Sequence, residues 1–111
     1  MRLLIFGGTT EGRVLAERAA ALGAEVAVSV ATPLGAEELA GLPGVRVLTG
    51  RLDQSAMESL LAGFDCCVDA THPYAKIVTA AVRTACENTN TPLRRLLRPA
   101  SPAENVVRVS S

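Results

Sequence analysis

The chain opens with Arg2-Leu3-Leu4-Ile5-Phe6, then Gly7-Gly8-Thr9-Thr10-Glu11-Gly12, and its architecture follows from how that stretch is punctuated. An apolar run stops on paired glycines and passes into Leu15, Ala19 and Leu22 at i, i+4 and i+7. This predicts a strand, a tight turn and a helix that Gly23 ends.

The same order recurs downstream. Val26, Val28 and Val30 alternate with Glu25, Ala27 and Ser29, a period-two strand ending at Thr32 and Pro33. A short helix is expected between Gly35 and Gly41, and a third strand over Val45 to Thr49 that Gly50 closes. Met57, Leu60 and Leu61 mark a helix from Gln54 to Ala62, followed by a fourth strand, Cys66 to Ala70. Pro73 suits the first turn of a helix whose face carries Tyr74, Val78, Ala81, Val82 and Ala85, and a fifth strand is expected over Leu93 to Leu97.

Strands alternating with helices across short loops require right-handed crossovers, hence a mainly parallel sheet covered on both faces. The expected fold is α/β, a Rossmann-like doubly wound sheet of five strands in the order 3-2-1-4-5. Its switch point lies between strands 1 and 4, and ligands bind beyond the carboxyl ends of the strands there. The loops beginning at Gly7, Ser29, Gly50 and Ala70 therefore form the binding edge.

Composition bounds the rest. The 111 residues are 49% apolar and carry 11 basic against 11 acidic groups, which suits one small folded domain. The longest apolar runs are strand-sized, so no membrane span is expected, and no signal peptide is recognisable. Zero net charge and 3% aromatic content argue against nucleic-acid binding. Charge is nonetheless uneven: residues 1–70 hold 5 arginines against 9 acids, and residues 71–111 hold 6 basic groups against 2 acids, so the second half can face an anion. Cys66 and Cys67 are adjacent on a strand and point to opposite faces, and Cys86 stands alone. No metal-ligand spacing occurs, and reduced thiols fit a cytoplasmic protein.

Gly7, Gly8, Thr9, Thr10, Glu11 and Gly12 occupy the first strand-to-helix turn, where free amides and the helix dipole favour a phosphate. The pattern departs from GxGxxG at Thr9 and contains no GK[ST]. A plain tight turn would instead need positive φ at Gly7 or Gly8 and close packing at Gly12. Glu11 either bonds loop amides or a ribose hydroxyl, or complements the helix dipole.

Strand 2 ends in Ser29, Ala31 and Thr32 rather than the Asp or Glu that accepts ribose hydroxyls in an NAD site, so NADP is favoured, with Arg46 and Arg51 as candidate cations for a 2′-phosphate. Arg51, Leu52 and Asp53 follow strand 3; Asp53 caps the next helix or borders the adenosine half. Asp69-Ala-Thr71-His72-Pro-Tyr74-Ala75 lies across the switch point, where a nicotinamide is expected. His72 is the candidate catalytic residue, with a turn or cap as its bland alternative, and Asp69 is read as structural. Arg94 and Arg95 face opposite sides of strand 5, so one pairs with an acid or reaches water, whereas Arg98 at the strand end is better placed for a ligand.

Four linked stretches, GGTTEG, SVAT, GRLD and DATHPYA, in this order and with a weaker match at Arg98-Pro99, resemble the precorrin-6A reductases of cobalamin biosynthesis. The resemblance implies NADPH-dependent reduction of a double bond in precorrin-6A, an anionic tetrapyrrole-derived polycarboxylate. It implies that Gly7 to Gly12 hold the diphosphate and that Ser29 and Thr32 lie near the adenosine ribose. Gly50 to Asp53 would border the adenosine, with Thr71, His72 and Tyr74 at the nicotinamide and substrate and Arg98 toward the substrate.

Family members continue into a second α/β domain. Residues 1–98 are thus expected to form the dinucleotide-binding domain and 99–111 a tail toward that second domain, with this chain a fragment or truncated product whose exposed apolar surface a homo-oligomer would cover. A dinucleotide-binding module without its own chemistry is the alternative. A short-chain dehydrogenase or epimerase is disfavoured, because the only tyrosine, Tyr74, is followed four residues on by Val78 rather than Lys.

Overall fold

The computed structural model describes residues 1–71 and 75–96. Five strands, β1 (Arg2–Phe6), β2 (Glu25–Val30), β3 (Val45–Thr49), β4 (Cys66–Asp69) and β5 (Leu93–Arg95), alternate with four helices, α1 (Thr10–Ala21), α2 (Pro33–Leu39), α3 (Gln54–Leu61) and α4 (Lys76–Thr89). The sheet is parallel throughout, in the order β3-β2-β1-β4-β5.

Side-chain alternation along each strand builds two cores, one per face. Leu3, Ile5, Val26, Val28 and Val30 pack with Ala16 of α1 and Leu39 of α2. Leu4, Phe6, Ala27 and Cys67 pack with Met57 and Leu61 of α3 and Val82, Ala85 and Cys86 of α4. Cys66 and Cys67 do divide between the two faces. Glu58 ties α3 to α4 by accepting from Gln54 Nε2 at 3.1 Å and Asn88 Nδ2 at 3.0 Å, and these two donors hold its carboxyl below the usual range. Among the described residues no helix is long and apolar enough to cross a membrane.

Element ends differ locally from the sequence expectations, each for an identifiable reason. Helix α2 begins at Pro33, two residues before Gly35, because Thr32 Oγ1 accepts from Gly35 N at 3.2 Å and Pro33 fits the first turn. Gly35 sits within this helix, where an added Cβ would lie 3.3 Å from Val30 Cβ. Helix α4 begins at Lys76, later than the Tyr74 start expected from periodicity. Strand β5 ends at Arg95 rather than Leu97, although Leu96 N still donates to Asp69 O at 2.9 Å. Residues 72–74 and 97–111 lie outside the described residues, and with them His72, Tyr74, Arg98 and the expected tail.

Candidate functional site: a cleft at the switch point

The first turn is built by backbone approach. Gly7 N–H donates to Ser29 O at 2.8 Å, which extends the β1–β2 ladder by one bond and commits that amide. An added Cβ at Gly7 would meet Val28 Cγ1 at 2.7 Å. The positive φ expected at Gly7 or Gly8 falls on Gly8, at 143°, where the chain turns out of the sheet. Thr9 caps α1: its Oγ1 accepts from Gly12 N at 3.3 Å and donates to Ala70 O at 2.7 Å, which fastens the helix start to the end of β4. Gly12 permits that approach, since its Cβ would stand 2.9 Å from Ala70 Cβ.

The first intrahelical bond runs from Arg13 N to Thr9 O at 3.3 Å, so the amides of Gly8, Thr9 and Thr10 precede it and have no intrahelical acceptor. These donors cluster at the positive end of the α1 dipole. Such an arrangement favours an anion.

Beside this turn lies a cleft of about 550 Å³. Phe6, Gly7 and Gly8 form one side, Ser29, Val30 and Ala31 the end of β2, Gly50, Arg51 and Leu52 the loop after β3, and Thr71, Ala75, Val78 and Ala81 the far wall. All four loops singled out in the sequence thus meet at one cavity, whose volume falls in the range of small-molecule sites. Its lining is mostly apolar, with Ser29, Arg51 and Thr71 as its polar residues.

The expected site residues separate into groups. Gly7, Gly8, Ser29, Arg51, Leu52 and Thr71 line the cleft. Thr9 and Gly12 shape the turn from behind, Thr10 and Glu11 stand in the first turn of α1, and Thr32 and Asp53 cap α2 and α3. Asp53 Oδ1 accepts from Ala56 N at 2.8 Å, the capping geometry open to it in the sequence. Arg46 is a correction: it lines a separate hollow with Arg2, Glu25, Gly44 and Phe64, toward the amino ends of the strands, because it lies near the start of β3.

The sequence reading missed Met57, Ile77, Val78 and Ala81 as cleft residues. Val78 and Ala81 carry the signal that assigned them to core; only packing shows that this part of the α4 stripe faces an opening. Ile77 stands 87% exposed at its lip.

The far wall rests on a polar row. The strand register aligns Ser29, Phe6, Asp69 and Arg95 across neighbouring strands, and with strict alternation they share the α3/α4 face. Asp69, 1% exposed, accepts at Oδ1 from Thr71 N at 3.0 Å, Thr71 Oγ1 at 2.6 Å and Arg95 Nη1 at 2.8 Å. The Thr71 hydroxyl thereby spends its proton on Asp69 and accepts from Arg95 Nη1 at 3.1 Å and from Thr79 Oγ1 at 3.3 Å, so its hydrogen-bonding capacity is filled within the wall.

A parallel 3-2-1-4-5 sheet with a glycine-hinged helix start beside a switch-point cleft defines a Rossmann-like α/β protein. The comparisons narrow this. A family model described as precorrin-6x reductase CbiJ/CobK matches residues 2–111, and the chain belongs to that family. It is 32% identical to a cobalt-precorrin-6A reductase of Methanothermobacter thermautotrophicus over 114 residues, covering 100% of this chain and 38% of that protein. It is 34% identical to a precorrin-6A reductase of Mycobacterium tuberculosis, covering 98% of this chain and 45% of that protein. The solved structure of the CobK precorrin-6A reductase superposes with a TM-score of 0.75 at 30% identity, over 92% of this chain and 42% of that one. The chain therefore spans well under half the length of these relatives.

Proposed function

We propose that the switch-point cleft binds a nicotinamide dinucleotide, NADPH in preference to NADH, and that the chain supplies the cofactor-binding part of an enzyme that reduces a double bond of the precorrin-6A macrocycle. The observation that carries this reading is the juxtaposition of the Gly8 bend, the start of α1 and the cleft between β1 and β4. The residues present fit such a cofactor: Gly8 has no atom within 4 Å of an added Cβ, leaving its cleft side open to a diphosphate. Leu52 and Met57 offer apolar surface for an adenine. No carboxylate ends β2 to repel a 2′-phosphate, and Arg51 lies on the cleft to meet one.

When bound, the cofactor supplies the hydride. The protein's part is placement. Gly8 to Thr10 hold the diphosphate through backbone amides, Ser29 and Thr32 stand toward the ribose, and Leu52 and Asp53 border the adenosine half. Thr71, fixed by Asp69 and Arg95, gives the nicotinamide end a rigid wall, and Val78 and Ala81 exclude water there. His72 is the candidate for the proton donor that accompanies reduction, and Tyr74 and Arg98 are the candidates for contact with the acidic substrate.

Calorimetric titration with NADPH and NADH tests the cofactor assignment, and adding precorrin-6A while following cofactor absorbance tests the chemistry. Tight NADPH binding with oxidation on substrate addition supports the whole reading. Binding without oxidation assigns this chain the cofactor-holding role alone, and no binding of either dinucleotide overturns the proposal.

A further inference from the structure

A second concavity, of about 240 Å³, lies on the other flank of α4 from the cleft, lined by Lys76, Thr79, Ala80, Arg83 and Arg95. Positions 76, 79, 80 and 83 follow i, i+3, i+4 and i+7, so they form one helix face, opposite Val78, Ala81, Val82 and Ala85. That face is basic and polar, and β5 brings Arg95 beneath it.

The floor of this concavity is built rather than loose. Arg95 is 28% exposed at its side chain, and its Nη1 is fixed by Asp69 Oδ1 at 2.8 Å and Thr71 Oγ1 at 3.1 Å. Thr79 Oγ1 lies 3.3 Å from Thr71 Oγ1 and so joins the same network. The guanidinium is therefore held in one orientation with part of it facing the hollow.

Charge is unbalanced there. Arg95 has Asp69, but among the described residues neither Lys76 nor Arg83 forms an ion pair. The next acid along the helix, Glu87, is one turn beyond Arg83 and borders a neighbouring hollow that Arg83 also lines, without an ion pair between them. Like charges gathered at one opening repel, and the start of α4, capped by no side chain at Ala75, adds its positive dipole end. An anion relieves both.

We propose that this concavity is a binding site for a carboxylate group of an organic anion, separate from the dinucleotide cleft. A planar guanidinium edge suits two coplanar oxygens, with Lys76 and Arg83 as further cations at the rim. The volume admits such a group but not a dinucleotide. Anion binding stands on this geometry alone; on the function proposed above, the site would hold one acidic arm of the substrate.

The test is an NMR titration of the full chain with tricarballylate, a small tricarboxylate, and separately with inorganic phosphate at matched ionic strength. Saturable shifts confined to Lys76, Thr79, Ala80, Arg83 and Arg95 are expected with tricarballylate, weakened about tenfold in the Lys76→Gln/Arg83→Gln double variant. NADPH affinity of that variant should equal that of the parent chain. Equal or stronger response to phosphate overturns the carboxylate assignment. Shifts spread over all basic residues, or none, overturn the site. An NADPH titration failing in the parent chain bears on the cofactor reading alone.

Discussion

Arg95 Nη1 sits 2.8 Å from Asp69 Oδ1, joining the ends of two neighbouring parallel strands on the row that supports the cleft wall. The pair is asymmetric. Asp69 is 1% exposed and among the described residues its Oδ2 has no hydrogen-bond partner, whereas the arginine side chain keeps 28% of its surface.

That asymmetry sets unequal costs for the two truncations. Arg95→Ala strands a buried carboxylate and should lower stability by about 3 kcal/mol, while Asp69→Ala leaves an arginine able to turn to water and should cost about 1–2 kcal/mol. The double variant should be less damaged than the sum of the two. Urea unfolding of the four proteins measures this, and additive losses would show that the pair is not coupled.

The first turn makes two glycine predictions that differ in kind. Gly12→Val drives a side chain into Ala70, 2.9 Å from the first added carbon, and should destabilise the fold by about 1–3 kcal/mol through overpacking. In Gly8→Val the added Cβ meets no atom of the described residues within 4 Å, but the residue takes a φ of 143°, costing about 1–3 kcal/mol. It should leave a folded protein whose NADPH affinity falls at least tenfold. Unfolding curves and calorimetry together separate the two effects; unchanged NADPH affinity in folded Gly8→Val defeats the phosphate-loop assignment.

Arg51 is exposed on the cleft, so its contribution to a 2′-phosphate contact is screened by water and salt. Arg51→Gln should weaken NADPH binding by about fivefold, roughly 1 kcal/mol, and leave NADH binding within twofold. Parallel titrations with both cofactors test it. Equal loss for the two would place Arg51 on the diphosphate or adenine instead.

Burial pushes the thiols of Cys67 and Cys86 above their ordinary range, Cys67 the more strongly. The unfolded chain then releases these protons at a lower pH than the folded one. Stability contributed by the neutral thiols is complete below about pH 8.5 and is lost as pH rises beyond it, with a slope approaching about 1.4 kcal/mol per pH unit for Cys67. Urea midpoints between pH 7 and pH 10 should fall, and Cys67→Ala, though less stable at neutral pH, should show a shallower decline. A midpoint independent of pH in that window would contradict the buried-thiol argument.

Much of the architecture was legible because it rests on short-range rules. Glycines at 7, 8, 23, 50 and 63 punctuate the chain, and the period changes from two to 3.6 between them. Strand order followed from connection length and handedness. The capping of α3 by Asp53 was one of two roles open to that residue, and the division of Cys66 and Cys67 between faces follows from strand geometry.

The start of α4, the short β5 and the position of Arg46 were not legible to the same degree, because an element's last turn and its height in the sheet depend on neighbours. The sequence by itself determined a parallel five-stranded layer and the four loops at its binding edge, since backbone sterics and side-chain alternation act within a few residues. Only the tertiary structure decided that Asp69 meets Arg95 beside Thr71, that Val78 and Ala81 face an opening, and that Lys76, Thr79 and Arg83 line one hollow with that arginine. Those relations join residues far apart in the chain, and they are fixed by strand register and helix packing, which no local spacing encodes.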